Sequence, residues 1–73
     1  MSRTNTIISL ASAEKILRNA GAERVSDDAS LALVNALIEY GTRVSQNALV
    51  FTKVAKRSTI KEEDIKLAIE GTN

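Results

Sequence analysis

The sequence predicts an all-α protein in which a short helix, a long central helix and a second short helix follow one another. Three observations lead to this fold class. Apolar residues recur every three or four positions along three segments, which is the period of an amphipathic helix. The 73 residues contain no proline and only three glycines, so few residues interrupt these segments. The central segment keeps its period for about 30 residues, well beyond the average helix of roughly 11 to 12 residues.

The first helix is predicted to run from an N-cap at Ser9 to about Ala20. A serine hydroxyl at this place can accept a hydrogen bond from a backbone N–H group of the first turn. Gly21 follows, and glycine readily adopts the left-handed conformation that ends many helices. The apolar face of this helix consists of residues spaced three and four apart, namely Leu10, Ala13, Ile16, Leu17 and Ala20.

The central helix is predicted to start after Ser26, because this hydroxyl precedes two carboxylates that favour the positive end of a helix dipole. It continues to about Ala55 or Lys56. Its main apolar stripe consists of Leu31, Val34, Leu37 with Ile38, Gly41, Val44, Ala48, Phe51, and Val54 with Ala55. Other apolar residues widen this stripe, namely Leu33, Ala36, Tyr40 and Leu49. A helix that is apolar on more than one side must be covered from more than one side.

Gly41 lies in the middle of the central helix, where a glycine costs about 1 kcal/mol relative to alanine. Two interpretations are open at this position. Either the glycine is tolerated and has no role, or it marks a point where two backbones cross closely.

The third helix is predicted over about Lys61 to Glu70, and Gly71 ends it. The residues from Thr59 to Glu62 fit a capping box, in which two side chains bond each other's backbone N–H groups. The first turn carries three acids, a favourable charge at a helix N-terminus, namely Glu62, Glu63 and Asp64. The inner face consists of Ile65, Ala68 and Ile69.

The length allows one domain, which we assign to residues 9–71, preceded by an N-terminal segment over residues 1–8. Chains of this size seldom build a core whose stabilisation much exceeds the conformational entropy lost on folding. Disulfides often support small domains, but this sequence has no cysteine. We therefore expect an obligate oligomer.

The composition disfavours several classes of function. Histidine and cysteine are both absent, which removes imidazole acid–base catalysis and thiolate zinc sites. The acidic clusters at residues 27–28 and 62–64 are better explained as helix-start charges than as catalytic pairs. We expect no enzymatic activity, no cofactor, no metal site and no small-molecule substrate. The apolar runs are too short for a membrane span or a secretory signal, so we expect a cytoplasmic protein without a membrane partner.

Two segments of the sequence resemble the histone fold, and specifically the archaeal histones. The first covers residues 20–29, AGAERVSDDA, and the second covers residues 56–69, KRSTIKEEDIKLAI. The match at the level of the fold extends over roughly residues 9–71. The resemblance implies an intertwined head-to-tail dimer that binds and compacts double-stranded DNA on the chromosome. The dimer would pair two copies of this chain, or one copy with another histone.

The resemblance assigns DNA contacts to the first helix and to both connectors. Arg24 is implied to enter the minor groove, whose negative potential attracts a guanidinium without reading bases. Lys15 corresponds to a family position that faces DNA, and Arg18 lies on the same polar side. The second connector is implied to bind phosphate beside a helix N-terminus through Lys56, Arg57, Ser58 and Thr59. The family pattern also pairs Arg57 with Asp64, so we expect Arg57 to tie this connector to the third helix more than to touch phosphate.

Contacts between dimers are implied at Phe51, Val54, Asp64 and Leu67. The family usually carries a histidine at the position of Val54, bonded to an acid across that interface, whereas this chain has no histidine. If Phe51 and Val54 are exposed in the dimer, they form an apolar patch that favours a partner. If they are buried, they belong to the dimer core. Formation of tetramers or larger assemblies is open between these alternatives.

The net charge of +1 conceals a basic stretch, because residues 51–61 carry four cations and no acid. Such an uneven field suits a phosphate-binding surface. The low net charge, Ser58 in place of a common lysine, and the absence of a basic tail predict weaker DNA binding than in strongly basic family members. The alternative function is therefore a histone-fold dimerisation module of a transcription-related assembly, with weak or no DNA binding.

Overall fold

Three α-helices form in the predicted order in the computed structural model, which describes residues 7–72. Helix α1 covers Leu10–Asn19, α2 covers Asp27–Val54 and α3 covers Glu62–Glu70. No strand occurs within the described residues, and the predicted all-α class is confirmed. Most of the predicted N-terminal segment, residues 1–6, lies outside the described residues. Between residues 7 and 72, no helix combines the length and apolarity that a membrane crossing requires.

Helix α1 begins and ends as the sequence predicts. The hydroxyl of Ser9 accepts a hydrogen bond of 3.0 Å from the backbone N–H of Ser12. At the other end, Gly21 adopts a positive φ of 115°. Its N–H donates to the carbonyl of Arg18 at 2.9 Å, and the N–H of Ala22 donates to the carbonyl of Leu17 at 3.2 Å. This pair of bonds is a Schellman motif, which satisfies carbonyl groups that the helix leaves open.

Helix α2 starts after Ser26, whose hydroxyl accepts a hydrogen bond of 3.1 Å from the N–H of Ala29. The helix ends at Val54, slightly before the predicted end. Lys56 causes this earlier end because its φ is +61°, in the left-handed region. The N–H of Lys56 donates to the carbonyl of Lys53 at 2.9 Å, and the N–H of Arg57 donates to that of Thr52 at 3.1 Å.

The predicted capping box at the start of α3 was wrong in its residues. The N-cap is Lys61, not Thr59, and the helix begins at Glu62. The N–H of Lys61 donates to the carboxylate of Asp64 at 2.9 Å. A lysine side chain cannot accept a bond in return, so the acid alone supplies the side-chain cap. Asp64 replaces the predicted glutamate because other residues also hold it in place, as described below.

The chain divides into two compact units, and the division falls within α2 between Ile38 and Glu39. In the first unit, the buried residues are Ala13 of α1 and Ser30 and Val34 of α2. In the second unit, the buried apolar residues are Val44 and Ala48 of α2 and Ala68 of α3, with Ile65 packed against them.

Helix α2 keeps many large apolar side chains exposed in the single chain. Within residues 7–72, only five apolar residues are buried, so the core of one copy is small. The exposed large apolar residues of α2 are Leu31, Tyr40, Leu49, Val50, Phe51 and Val54. Their positions agree with the prediction that this helix is apolar on more than one side.

Candidate functional site

The first connector, residues 20–26, presents Arg24 to solvent. Two adjacent structures fix the backbone around it: the Schellman motif at Gly21 and the N-cap at Ser26. Arg24 lines a concave surface together with apolar and small residues of the same unit, namely Leu17, Ala22, Val25, Ser26 and Ala29. The guanidinium therefore projects from a short connector whose ends are both anchored.

Arg18 supports this connector from α1. Its guanidinium contacts the carboxylate of Glu14 at 2.8 Å and 2.9 Å, an i,i+4 pair on the helix surface. Its Nη1 also donates to the backbone carbonyl of Glu23 at 3.1 Å. Arg18, predicted as a DNA contact, is thus engaged with its own chain, directly beside Arg24.

Arg24 differs from the other arginines that the structure describes. Arg43 lies 3.5 Å from the carboxylate of Glu39 and 5.9 Å from the ring centre of Tyr40. Arg18 and Arg57 are hydrogen-bonded to acids of their own chain. Arg24 has no hydrogen bond or ion pair with any residue between 7 and 72. It is available to an external anion.

The second connector, residues 55–61, is organised around Arg57 and Asp64. The two side chains form a fork of parallel hydrogen bonds, of 2.9 Å from Nη1 to Oδ2 and 3.0 Å from Nη2 to Oδ1. Nη1 also donates to the carbonyl of Thr59 at 2.9 Å. A guanidinium matches a carboxylate in this geometry better than an ammonium does. Arg57 therefore joins the connector to α3.

Asp64 is 2% exposed and accepts bonds from three elements. Besides Arg57, the hydroxyl of Thr52 donates to it at 2.7 Å and the N–H of Lys61 donates at 2.9 Å. The hydrogen bond from Arg57, followed by those from Lys61 and Thr52, holds the pKa of the Asp64 carboxyl far below its usual range. The same bond to Asp64 raises the pKa of Arg57. Asp64 stays ionised and locks the start of α3.

Lys56, Ser58 and Thr59 remain exposed on this connector. The side chain of Lys56 makes no hydrogen bond or ion pair within residues 7–72. Because the backbone of Lys56 is left-handed, the chain turns sharply at this cation before it reaches α3. Lys15 on α1 is likewise exposed and without a partner among the described residues.

The predicted dimer–dimer residues fall into two groups. Phe51, Val54 and Leu67 are exposed, and Val54 is the most exposed of the three at 75%. Asp64 is buried and bonded within its own chain. A shallow concave surface next to the exposed group is lined by Asn47, Val50, Phe51, Leu67, Ala68 and Gly71.

The acids at the start of α3 are engaged by nearby cations. Lys66 lies 2.9 Å from Glu62, and Arg57 lies 3.6 Å from Glu63. Across the described part of the chain, no three acidic side chains come together as a metal site would require.

Sequence reasoning missed two polar contacts that stabilise the second unit. Thr52 bonds Asp64 and also donates to the carbonyl of Ala48 at 3.0 Å. Thr72 is buried, donates to the carbonyl of Ala68 at 2.7 Å and accepts from the amide of Asn47 at 2.7 Å. The signal for Thr52 was its position four residues after Ala48, which places a hydroxyl on the buried side of α2.

Comparison with known proteins follows the same boundaries. Residues 8–69 match the model of a family described as histone-like transcription factor (CBF/NF-Y) and archaeal histone. The chain is 44% identical over 62 residues to the archaeal histone HAN1 of Thermococcus zilligii, covering 85% of this chain and 92% of that protein. It is 40% identical over 57 residues to probable archaeal histone 3 of Methanocaldococcus jannaschii, covering 78% and 85% respectively.

Proposed function

Because the chain belongs to the family of histone-like transcription factors and archaeal histones, DNA-binding proteins that form dimers, we propose that it binds and compacts double-stranded DNA as a head-to-tail dimer. The family is structural rather than enzymatic and associates with the chromosome. The contacts proposed here are made to the DNA backbone and the minor groove, and they tolerate any sequence.

The state of Arg24 carries this proposal. A cation on an anchored connector, without a partner in its own chain, is prepared for an anion from outside. The minor groove concentrates negative potential where it narrows, and it attracts guanidinium groups independently of base identity. Arg24 therefore enters the minor groove, while Lys15 and Lys56 contact phosphates.

The second connector acts as a scaffold for phosphate. Arg57 is occupied by Asp64, so its role is to hold the connector against α3. The exposed hydroxyls of Ser58 and Thr59, together with Lys56, then face the phosphate. Ser58 supplies a hydroxyl but no charge, which makes this contact weaker than one that includes a second lysine.

Head-to-tail pairing brings the two connectors together. When the long helices of two copies run antiparallel, the connector that precedes α2 in one copy lies beside the connector that follows α2 in the other. Exposed apolar residues along α2, such as Leu31 and Leu49, support burial against a second copy. Each dimer then presents two combined surfaces, each with Arg24 from one copy and Lys56 from its partner.

Equilibrium binding to a random-sequence duplex of about 60 base pairs tests the role of Arg24. We expect Arg24→Ala to lower the affinity about three- to tenfold and to reduce the slope of log K against log salt by roughly 2, because each dimer loses two charges. Arg43→Ala is the matched control, since it removes the same charge from a residue already paired with Glu39. Equal losses in both variants would contradict the assignment of Arg24.

The second candidate function is a dimerisation module within a transcription-related assembly. The net charge of +1 favours this alternative. The same titration separates the two functions. A wild-type protein that retards no duplex at micromolar concentration and low salt, with Arg24→Ala behaving identically, would support the module and reject DNA compaction.

Dimers associate further through the apolar surface formed by Phe51, Val54 and Leu67. These side chains are 39%, 75% and 48% exposed in the single chain. An aliphatic side chain at position 54 replaces the usual histidine, so this association depends on apolar burial and lacks a histidine hydrogen bond.

A further inference from the structure

Gly41 lies at the centre of α2, 14 residues after Asp27 and 13 residues before Val54. Glycine destabilises the interior of a helix because its unfolded backbone has more freedom to lose. Nothing in its own chain explains the glycine, since a Cβ built at this position meets no atom within 4 Å. A side chain at residue 41 would therefore fit the single chain.

The register of α2 places Gly41 on the side that carries the buried residues. Val34 and Ile38 precede it, and Val44 and Ala48 follow it, all at spacings of three or four. Val34, Val44 and Ala48 are buried and Ile38 is half-buried, whereas Gly41 is exposed. The centre of this apolar stripe is thus uncovered in one copy.

We infer that Gly41 is the point at which α2 of one copy crosses α2 of the second copy. This inference rests on the proposed dimer and adds the residue that sets its geometry. In a two-fold symmetric pair of antiparallel helices, the same residue of both copies lies at the crossing. Equal overlap along α2 puts that residue at the helix centre, where Gly41 lies. The missing Cβ lets the two backbones approach closely.

Substitution at Gly41 separates the behaviour of the single helix from that of the dimer. If only the helix mattered, Gly41→Ala would raise the folding equilibrium constant of each copy roughly fivefold. A crossing at this residue predicts the opposite result: weaker dimerisation for Gly41→Ala, and a loss of roughly 100-fold for Gly41→Leu, because added atoms overpack the contact. Sedimentation equilibrium measures the dimer dissociation constant, and circular dichroism reports whether the helices persist.

Gln46→Leu is the matched control for these variants. Gln46 is exposed, lies five residues further along α2 and points to a different side of the helix. We expect it to change dimer dissociation less than threefold. A dimer strengthened by Gly41→Ala, or weakened equally by Gln46→Leu, would overturn the inference.

Cross-linking tests the same contact without relying on a destabilised variant. The chain has no cysteine, so Gly41→Cys introduces a single thiol. A disulfide requires Cα atoms about 4.4 to 6.8 Å apart, which a crossing at residue 41 supplies. In an antiparallel pair crossing there, the two copies of Gln46→Cys are separated by roughly 15 Å along the axis and should not join. Oxidised Gly41→Cys should therefore migrate as a covalent dimer on a non-reducing gel.

The outcomes distinguish this inference from the proposed function. A wild-type protein that dimerises and retards DNA, with no Gly41→Cys cross-link, overturns the crossing point and leaves DNA binding intact. A wild-type protein that remains a single copy at all concentrations overturns both.

Discussion

A lysine occupies the left-handed position that ends α2, whereas the equivalent position after α1 is Gly21. Both residues close a Schellman motif, with φ of +61° for Lys56 and +115° for Gly21. A side chain in this region costs roughly 1 to 2 kcal/mol, a penalty that glycine avoids. A lysine at such a place destabilises the fold and supplies a cation at the turn. We interpret Lys56 as a residue kept for binding at the expense of stability.

Substitution at Lys56 tests this trade between stability and binding. We expect Lys56→Gly to raise the free energy of unfolding by about 1 kcal/mol, because the strain disappears, and to weaken duplex binding several-fold. Lys56→Asn is the control, since asparagine tolerates the left-handed region and carries no charge. Chemical denaturation and DNA titration measure both effects. If Lys56→Gly neither stabilises the protein nor weakens binding, the interpretation is wrong.

At the residue scale, sequence reasoning identified pairs whose spacing is local or follows a family pattern. It placed Ser9 and Ser26 as N-caps and Gly21 in the left-handed region, because these features depend on a few neighbouring residues. The bond between Asn47 and Thr72 was not predicted, since it joins residues 25 positions apart on two elements. The engagement of Arg18 with Glu23 was missed because it depends on the path of the connector backbone.

At the element scale, the second connector and α3 depend on the ionised form of Asp64. Its pKa is far below the ordinary value because Arg57, Lys61 and Thr52 all bond the carboxylate. A carboxyl group with a lowered pKa in the folded state contributes stability that is complete above its unfolded pKa of about 3.9. That stability is lost as the pH falls below this value, because the unfolded chain then takes up the proton more readily.

Thermal unfolding as a function of pH tests the role of Asp64. We expect the melting temperature of the wild type to fall steeply below about pH 4, where the unfolded carboxyl protonates. Asp64→Asn should melt at a lower temperature than the wild type at pH 7 and should show a shallower decline in acid. Glu62→Gln is the control, because Glu62 is paired only with Lys66 on the exposed side of α3. Parallel acid profiles for wild type and Asp64→Asn would contradict this role.

The start of α3 shows where element boundaries exceed what the sequence can predict. The local pattern favoured a capping box from Thr59 to Glu62, but Lys61 and Asp64 form the observed cap. The difference arises from the tertiary contacts of Asp64 with Arg57 and Thr52, which a local motif does not contain. The existence, order and type of all three helices were predictable because their apolar period is long and uninterrupted.

At the scale of the whole molecule, the apolar surface of one copy exceeds what its own core can cover. Only five apolar residues are buried between residues 7 and 72, whereas twelve large apolar side chains are exposed. The sequence predicted this imbalance from the width of the α2 stripe and from the absence of disulfides. It left open which exposed residues face the dimer partner and which face a second dimer.

Val54→Glu separates those two contacts. We expect this variant to form dimers whose free energy of unfolding stays within about 0.5 kcal/mol of the wild type, because Val54 lies on the outer surface. Assemblies larger than one dimer on DNA should decrease, because a carboxylate in an apolar contact is costly to desolvate. Val50→Glu is the companion variant on the same helix. If Val54→Glu disrupts the dimer itself, Val54 belongs to the dimer core.

The most direct measurement concerns the distance between Arg24 of one copy and Thr59 of the other, because head-to-tail pairing makes them neighbours. Spin labels on Arg24→Cys and Thr59→Cys, in separate preparations that are then mixed, report this distance by pulsed electron paramagnetic resonance, since the chain has no other cysteine. Helix α2 has 28 residues and is about 42 Å long. We expect a separation between copies of less than about half that length. A distance near the full length of α2, or no coupling between copies, would contradict head-to-tail pairing.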